Sequence, residues 1–89
     1  MATTIIADVK MFDKNLMDLY IQKNDESSKK IGSFETKDCN DAILSFAQQN
    51  DAETVFLIGN KAYCEGIKES LAREEKEKYG ASHLLINIV

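Results

Sequence analysis

The chain has 89 residues, a formal net charge of -4, 44 % hydrophobic residues and no proline. That length suits one domain, residues 1–89, and the hydrophobic content excludes a disordered chain. A domain of this size buries roughly 60–65 % of the surface its unfolded chain exposes, so the core is modest.

The acidic balance argues against a broad basic surface for nucleic acid, because such binding neutralises phosphates with Lys and Arg. Cys39, Cys64 and the single histidine, His83, lack the spacing of a zinc site, so no metal and no cofactor is expected. Met1-Ala2-Thr3-Thr4 has no basic start and leads into no long apolar core, and no run approaches membrane-spanning length. A soluble cytoplasmic protein with reduced thiols is the expectation, with no membrane partner.

Thr3 to Met11 alternates, with Ile5, Ala7, Val9 and Met11 on one face and Ile6, Asp8 and Lys10 on the other. This is the period-two pattern of a half-buried strand. Asp13-Lys14-Asn15 is turn-prone, and Asn tolerates a left-handed backbone. Leu16 to Gln22 alternates again, Met17, Leu19 and Ile21 against Leu16, Asp18, Tyr20 and Gln22, so the two segments predict a hairpin. Lys23 to Lys29 reads as a solvated loop. Lys30 to Thr36 predicts a third strand whose Ile31 and Phe34 fall on opposite faces if it is regular, with Gly32 marking a bulge.

Thr36, Asp38 and Asn40 all suit a helix N-cap. Ala42-Ile43 and Phe46-Ala47, with Leu44 beside them, give a short helix that fades at 48–51. Thr54 to Ile58 is a continuous apolar run ended by Gly59-Asn60, the pattern of a strand buried on both faces. Asn60 caps a second helix with Tyr63, Ile67 and Leu71 as its apolar stripe. Gly66 inside it costs roughly 1 kcal/mol relative to Ala, a cost that close approach to the sheet would offset. Arg73 to Lys78 is charged and reads as a solvated helix end with pairs such as Glu74 and Lys78. Tyr79-Gly80 stops the helix, and His83 to Val89 is a last strand.

The order is strand, strand, strand, helix, strand, helix, strand. It predicts a mixed α+β fold: one five-stranded mixed sheet, central first and fourth strands, and two covering helices. If both helices cover one face, Ile6, Leu57, Leu85 and Val89 give the other face something to bury, and an oligomer is one solution.

This order resembles the ribonuclease H-like fold over nearly the whole chain, as an order of elements and not as a motif match. In nucleases of that fold a carboxylate stands mid-way along the first strand, where this chain has Asp8. Another belongs on the first helix, where Asp38 or Asp41 qualifies, and a further one at the end of the fourth strand. That last position reads Gly59-Asn60, so the acid is missing. Holding two divalent ions needs several convergent carboxylates, and this set is incomplete.

Other candidate sites are few. Gly59-Asn60-Lys61 stands at the carboxyl end of a parallel strand and before a helix N-terminus, a place that favours anions; Asp8 or Asn40 would lie nearby. The same residues also read as a tight turn with an Asn cap, and no P-loop pattern is present. Cys64 near a helix start has no histidine base beside it in sequence. No catalytic constellation is visible.

The reading is therefore a small non-enzymatic interaction or regulatory module acting through protein–protein contacts, self-associated as a homodimer or larger. Such an accessory protein would suit a phage or mobile element. The strand Leu84 to Val89 is a sheet edge, where strands pair between molecules. The alternative is a small-ligand, nucleotide or anion-binding protein using Gly59, Asn60, Lys61 and Asp8. A metal-dependent nuclease built on Asp8 comes third.

Overall fold

The computed structural model describes residues 2–80 and 83–89; Met1, where the leader reading begins, lies outside them. Five strands and two helices follow one another as β1 (Thr3–Asp8), β2 (Leu16–Lys23), β3 (Lys29–Glu35), α1 (Cys39–Gln49), β4 (Thr54–Ile58), α2 (Lys61–Tyr79) and β5 (Leu85–Ile88). The strands form one mixed sheet in the order β3-β2-β1-β4-β5. β1 pairs antiparallel with β2 and parallel with β4, β2 pairs antiparallel with β3, and β4 pairs parallel with β5. The expected order of elements and the mixed sheet are both present, with β1 at the centre.

Alternation decides which face is covered. Ile5, Ala7, Met17, Leu19, Val55, Leu57 and Ile86 project to one side and are all buried. Ile43, Leu44 and Ala47 of α1 and Cys64, Ile67 and Leu71 of α2 meet them in a single core. Leu57 therefore belongs to the helix side and not to the opposite face. β4 is not buried on both faces either: Val55 and Leu57 are buried while Thr54, Phe56 and Ile58 stay half-exposed.

Other local expectations change on contact with the fold. β1 stops at Asp8, because the chain turns through a single 3-10 turn at Phe12–Lys14 closed by a left-handed Asn15, φ 62°. Met11 consequently leaves the core face and is exposed. In β3 the register against β2 shifts between Leu19 and Tyr20, so that Ile31 is an extra residue. That bulge lets Ile31 and Phe34, three apart, pack against the same core. Phe34 meets Phe46 of α1 edge-on, ring centroids 5.9 Å apart.

α1 begins after a 3-10 turn at Thr36–Asp38, and no side-chain cap bond is made at Asp38. Thr36 Oγ1 donates to Asn15 Oδ1 instead. The buried stripe of α2 is Cys64, Ile67, Leu71 and Glu75, and Tyr63 is exposed, its ring beside Phe12 at 5.5 Å. Gly66 is solvent-facing, and a Cβ built on it meets nothing within 4 Å. No close approach to the sheet accounts for it.

Candidate functional site

The Gly59-Asn60-Lys61 turn and Asp8 do arrive at one end of the sheet. Asp8 stands opposite Ile58 in the β1–β4 register, and Val9 N–H donates to Ile58 O at 2.8 Å. Gly59 has φ 142°, and a Cβ there would stand 3.0 Å from the backbone of Val9 and Lys10. Glycine at this point is thus demanded by the closeness of the β1 exit.

The side-chain oxygens of Asn60 and Asp8 already have partners within the chain. Asn60 Oδ1 accepts from Ala62 N–H at 2.9 Å and Tyr63 N–H at 3.3 Å. The donors an anion would use at the α2 N-terminus are the ones this cap engages. Asp8 Oδ1 accepts from Lys10 N–H at 3.0 Å, and Lys10 Nζ stands 3.4 Å from Asp8 Oδ2. Lys61 is exposed. Asn40 is held in the seam between the helices, where its Nδ2 donates to Ser70 Oγ at 2.8 Å and Glu74 Oε2 at 2.5 Å. It borders a cleft of about 200 Å³ with Phe12, Lys37, Ile67 and Glu74.

The acids do not gather. Asp41 pairs with Lys78 of α2, and this contact holds the Lys78 ammonium above its ordinary pKa. Asp8 lies across from Asp18 on β2, whose Oδ1 accepts from Ser33 Oγ at 2.6 Å and stands 3.5 Å from Lys30 Nζ. The Ser33 hydrogen bond first, and Lys30 with it, keeps the Asp18 carboxyl below the usual range. Among the described residues no three His, Cys, Asp or Glu side chains are placed to hold a metal ion. Burial, reinforced by Glu74, pushes the Cys39 thiol up to about 12, and burial raises Cys64 as well. Both thiols are therefore protonated near neutrality and poor nucleophiles.

Glu75 is the residue that sequence reasoning missed. It lies in the charged run Arg73 to Lys78 yet is only 4 % exposed. Its Oε2 accepts from His83 N–H at 3.1 Å and Leu84 N–H at 3.2 Å. The carboxylate fixes the start of β5 and forms one wall of a cleft of about 270 Å³ with Leu44, Ala52, Tyr79 and His83. The signal was available: stepping four residues from Ile67 through Leu71 lands on Glu75. Glu74 turns to Asn40 and Lys78 to Asp41, so the charged end of α2 is tied to α1 rather than only to itself.

The remaining feature is a surface. On the side away from the helices, Tyr20, Ile6, Phe56 and Asn87 stand in one row across β2, β1, β4 and β5. Ile58 continues the apolar area along β4, and Leu85, 61 % exposed, flanks it. None of these five apolar side chains packs against the buried core. Asp8 and Asp18, with Lys10 and Lys30, give the patch a charged border.

No protein-family model matches the chain, and no curated protein matches it significantly in sequence. Among solved structures, the chain is similar to Dom34 of S. cerevisiae, a translation termination-like factor involved in RNA quality control pathways and interacting with Hbs1. The TM-score is 0.61 at 11 % identity, over 96 % of this chain and 28 % of that one. The chain thus spans less than a third of the length of that neighbour. This likeness supports an α/β sheet fold and carries no activity with it. No helix of the described residues is long and apolar enough to cross a membrane.

Proposed function

We propose that the chain is a small non-enzymatic interaction module that self-associates through the uncovered side of its sheet. One observation carries the reading. Two helices cover one face, while the other presents Ile6, Tyr20, Phe56 and Ile58 half-exposed and Leu85 exposed. A contiguous apolar patch with a polar border is the ordinary mark of a protein contact. At the level of fold the module is a minimal ribonuclease H-like domain without the acid set of the nucleases. The order of elements supports that assignment; Asp8 at the last residue of β1 instead of mid-way along it, and Gly59-Asn60 at the end of β4, depart from it.

Light scattering on the purified protein at high micromolar concentration tests the module. The expected mass is a multiple of the monomer, reduced to the monomer by Phe56→Glu, which changes the open face and leaves the helix side untouched. A wild-type monomer would sink the self-association. Native mass spectrometry of the same sample that shows a retained small mass would move a ligand-binding role to first place.

A further inference from the structure

The two edges of the sheet are guarded differently. β3 carries Lys29, Lys30 and Glu35 and is bulged at Ile31. Charges and bulges are how sheet edges avoid pairing with other chains. β5 reads Leu85-Ile86-Asn87-Ile88, with no charge and an unbroken register against β4. Leu85 N–H donates to Glu53 O and Val89 N–H to Leu57 O, each at 2.9 Å. Backbone groups of alternate residues in a strand point opposite ways, so those of Ile86 and Ile88 face outward from the sheet.

We propose that β5 pairs antiparallel with β5 of a second copy of this chain, about a two-fold axis at Asn87. This rests on the reading of the chain as a self-associating module and sets the β5 edge, in place of the open face, as its contact. The strand is complementary to itself in that register. With the helices of both copies on one side, residues that stand opposite each other share a face. Ile86 meets Ile88 of the second copy on the helix side, where their outward N–H and C=O groups bond. Leu85 meets Val89 of the second copy on the open side. These two are the most exposed large hydrophobic residues described, at 61 % and 72 %. Opposed pairs between bonded positions come within about 4.5 Å at Cα, close enough to exclude water from both side chains. An axis at Ile86 would set Leu85 against Asn87 and Val89 against His83, polar residues in place of apolar ones. The symmetric contact has no like charges to oppose, because β5 has none. It joins the two open faces into one continuous surface.

A pair of double variants tests both the contact and the register. Leu85→Lys with Val89→Lys sets like charges opposite each other at both symmetric positions. Leu85→Glu with Val89→Lys sets opposite charges there. Within one copy the two positions are about 13 Å apart, too far to pair. Both sites are exposed, so the fold should persist, and thermal melting by circular dichroism verifies that it does. By light scattering the wild type and the Glu/Lys variant are expected at twice the monomer mass and the double-lysine variant at the monomer mass. A double-lysine variant that stays dimeric overturns the proposal, as does a Glu/Lys variant that is monomeric. If the double-lysine change breaks the dimer while Phe56→Glu does not, β5 pairing stands and the open-face reading fails. If only Phe56→Glu breaks it, the reverse holds. A wild-type monomer removes both.

Discussion

Gly66 and Gly59 show how differently one residue type can act. Gly66 is in the interior of α2, faces solvent, and has room for a Cβ. Nothing offsets its conformational freedom in the unfolded chain. Gly66→Ala should therefore stabilise the fold by about 0.5–1 kcal/mol. For a domain of this size that is a rise in Tm of roughly 2–8 °C. Gly59 is the opposite case, with φ 142° and the backbone of Val9 and Lys10 3.0 Å from where a Cβ would go. Gly59→Ala should lower Tm, since neither strain nor contact can relax without parting β1 from β4. Calorimetry of the two variants decides the matter. A Gly66→Ala protein that melts below the wild type would mean that its position serves something other than the isolated fold.

At the scale of elements, the tie between α2 and β5 depends on one carboxylate. Glu75 is buried and accepts from the amides of His83 and Leu84. Glu75→Ala would leave those part-buried donors without their partner, at a cost of about 1 kcal/mol. Glu75→Gln keeps an acceptor oxygen and should lose about half as much. Denaturant midpoints measured side by side would show the order wild type, Gln, Ala, and equal midpoints would remove the assigned role. Glu75 also shows where the sequence stops being legible. Period-two alternation gave β1, β2 and their helix-facing residues, because one-sided burial writes itself directly into the pattern. The Gly59-Asn60 and Gly80 boundaries of α2 were legible from cap chemistry. Residue type misled where a long-range partner decided the outcome. Glu75 looked solvated in a charged run, a continuous apolar stretch put Leu57 on the open face when it belongs to the helix side, and Tyr63 took the helix stripe that belongs to Cys64. At the candidate site, Asn60 and Asp8 stand at one sheet end. That their polar atoms engage the turn's own backbone and Lys10 could be seen only once the chain was folded.

For the whole molecule the question is which parts of a one-sided sheet are closed by the chain itself and which need another copy. Hydrogen exchange separates them, because an amide is protected only while its bond persists. The N–H groups of Leu85 and Val89 bond to Glu53 and Leu57 within the chain and should be protected at any concentration. Those of Ile86 and Ile88 face outward, and among the described residues no strand lies beyond them in a monomer. They should exchange freely when the protein is dilute and slow by an order of magnitude or more above the dimer dissociation constant. The outward amides of β3 supply the internal control, since Lys29, Lys30 and the bulge keep that edge unpaired at every concentration. Protection of both edges on concentrating the sample would point to indiscriminate strand association. Protection of neither, with a dimer still seen by mass, would place the contact on the row formed by Tyr20, Ile6 and Phe56. Only the pattern in which Ile86 and Ile88 alone respond to concentration fits a two-fold β5 seam, and it does so without altering a side chain.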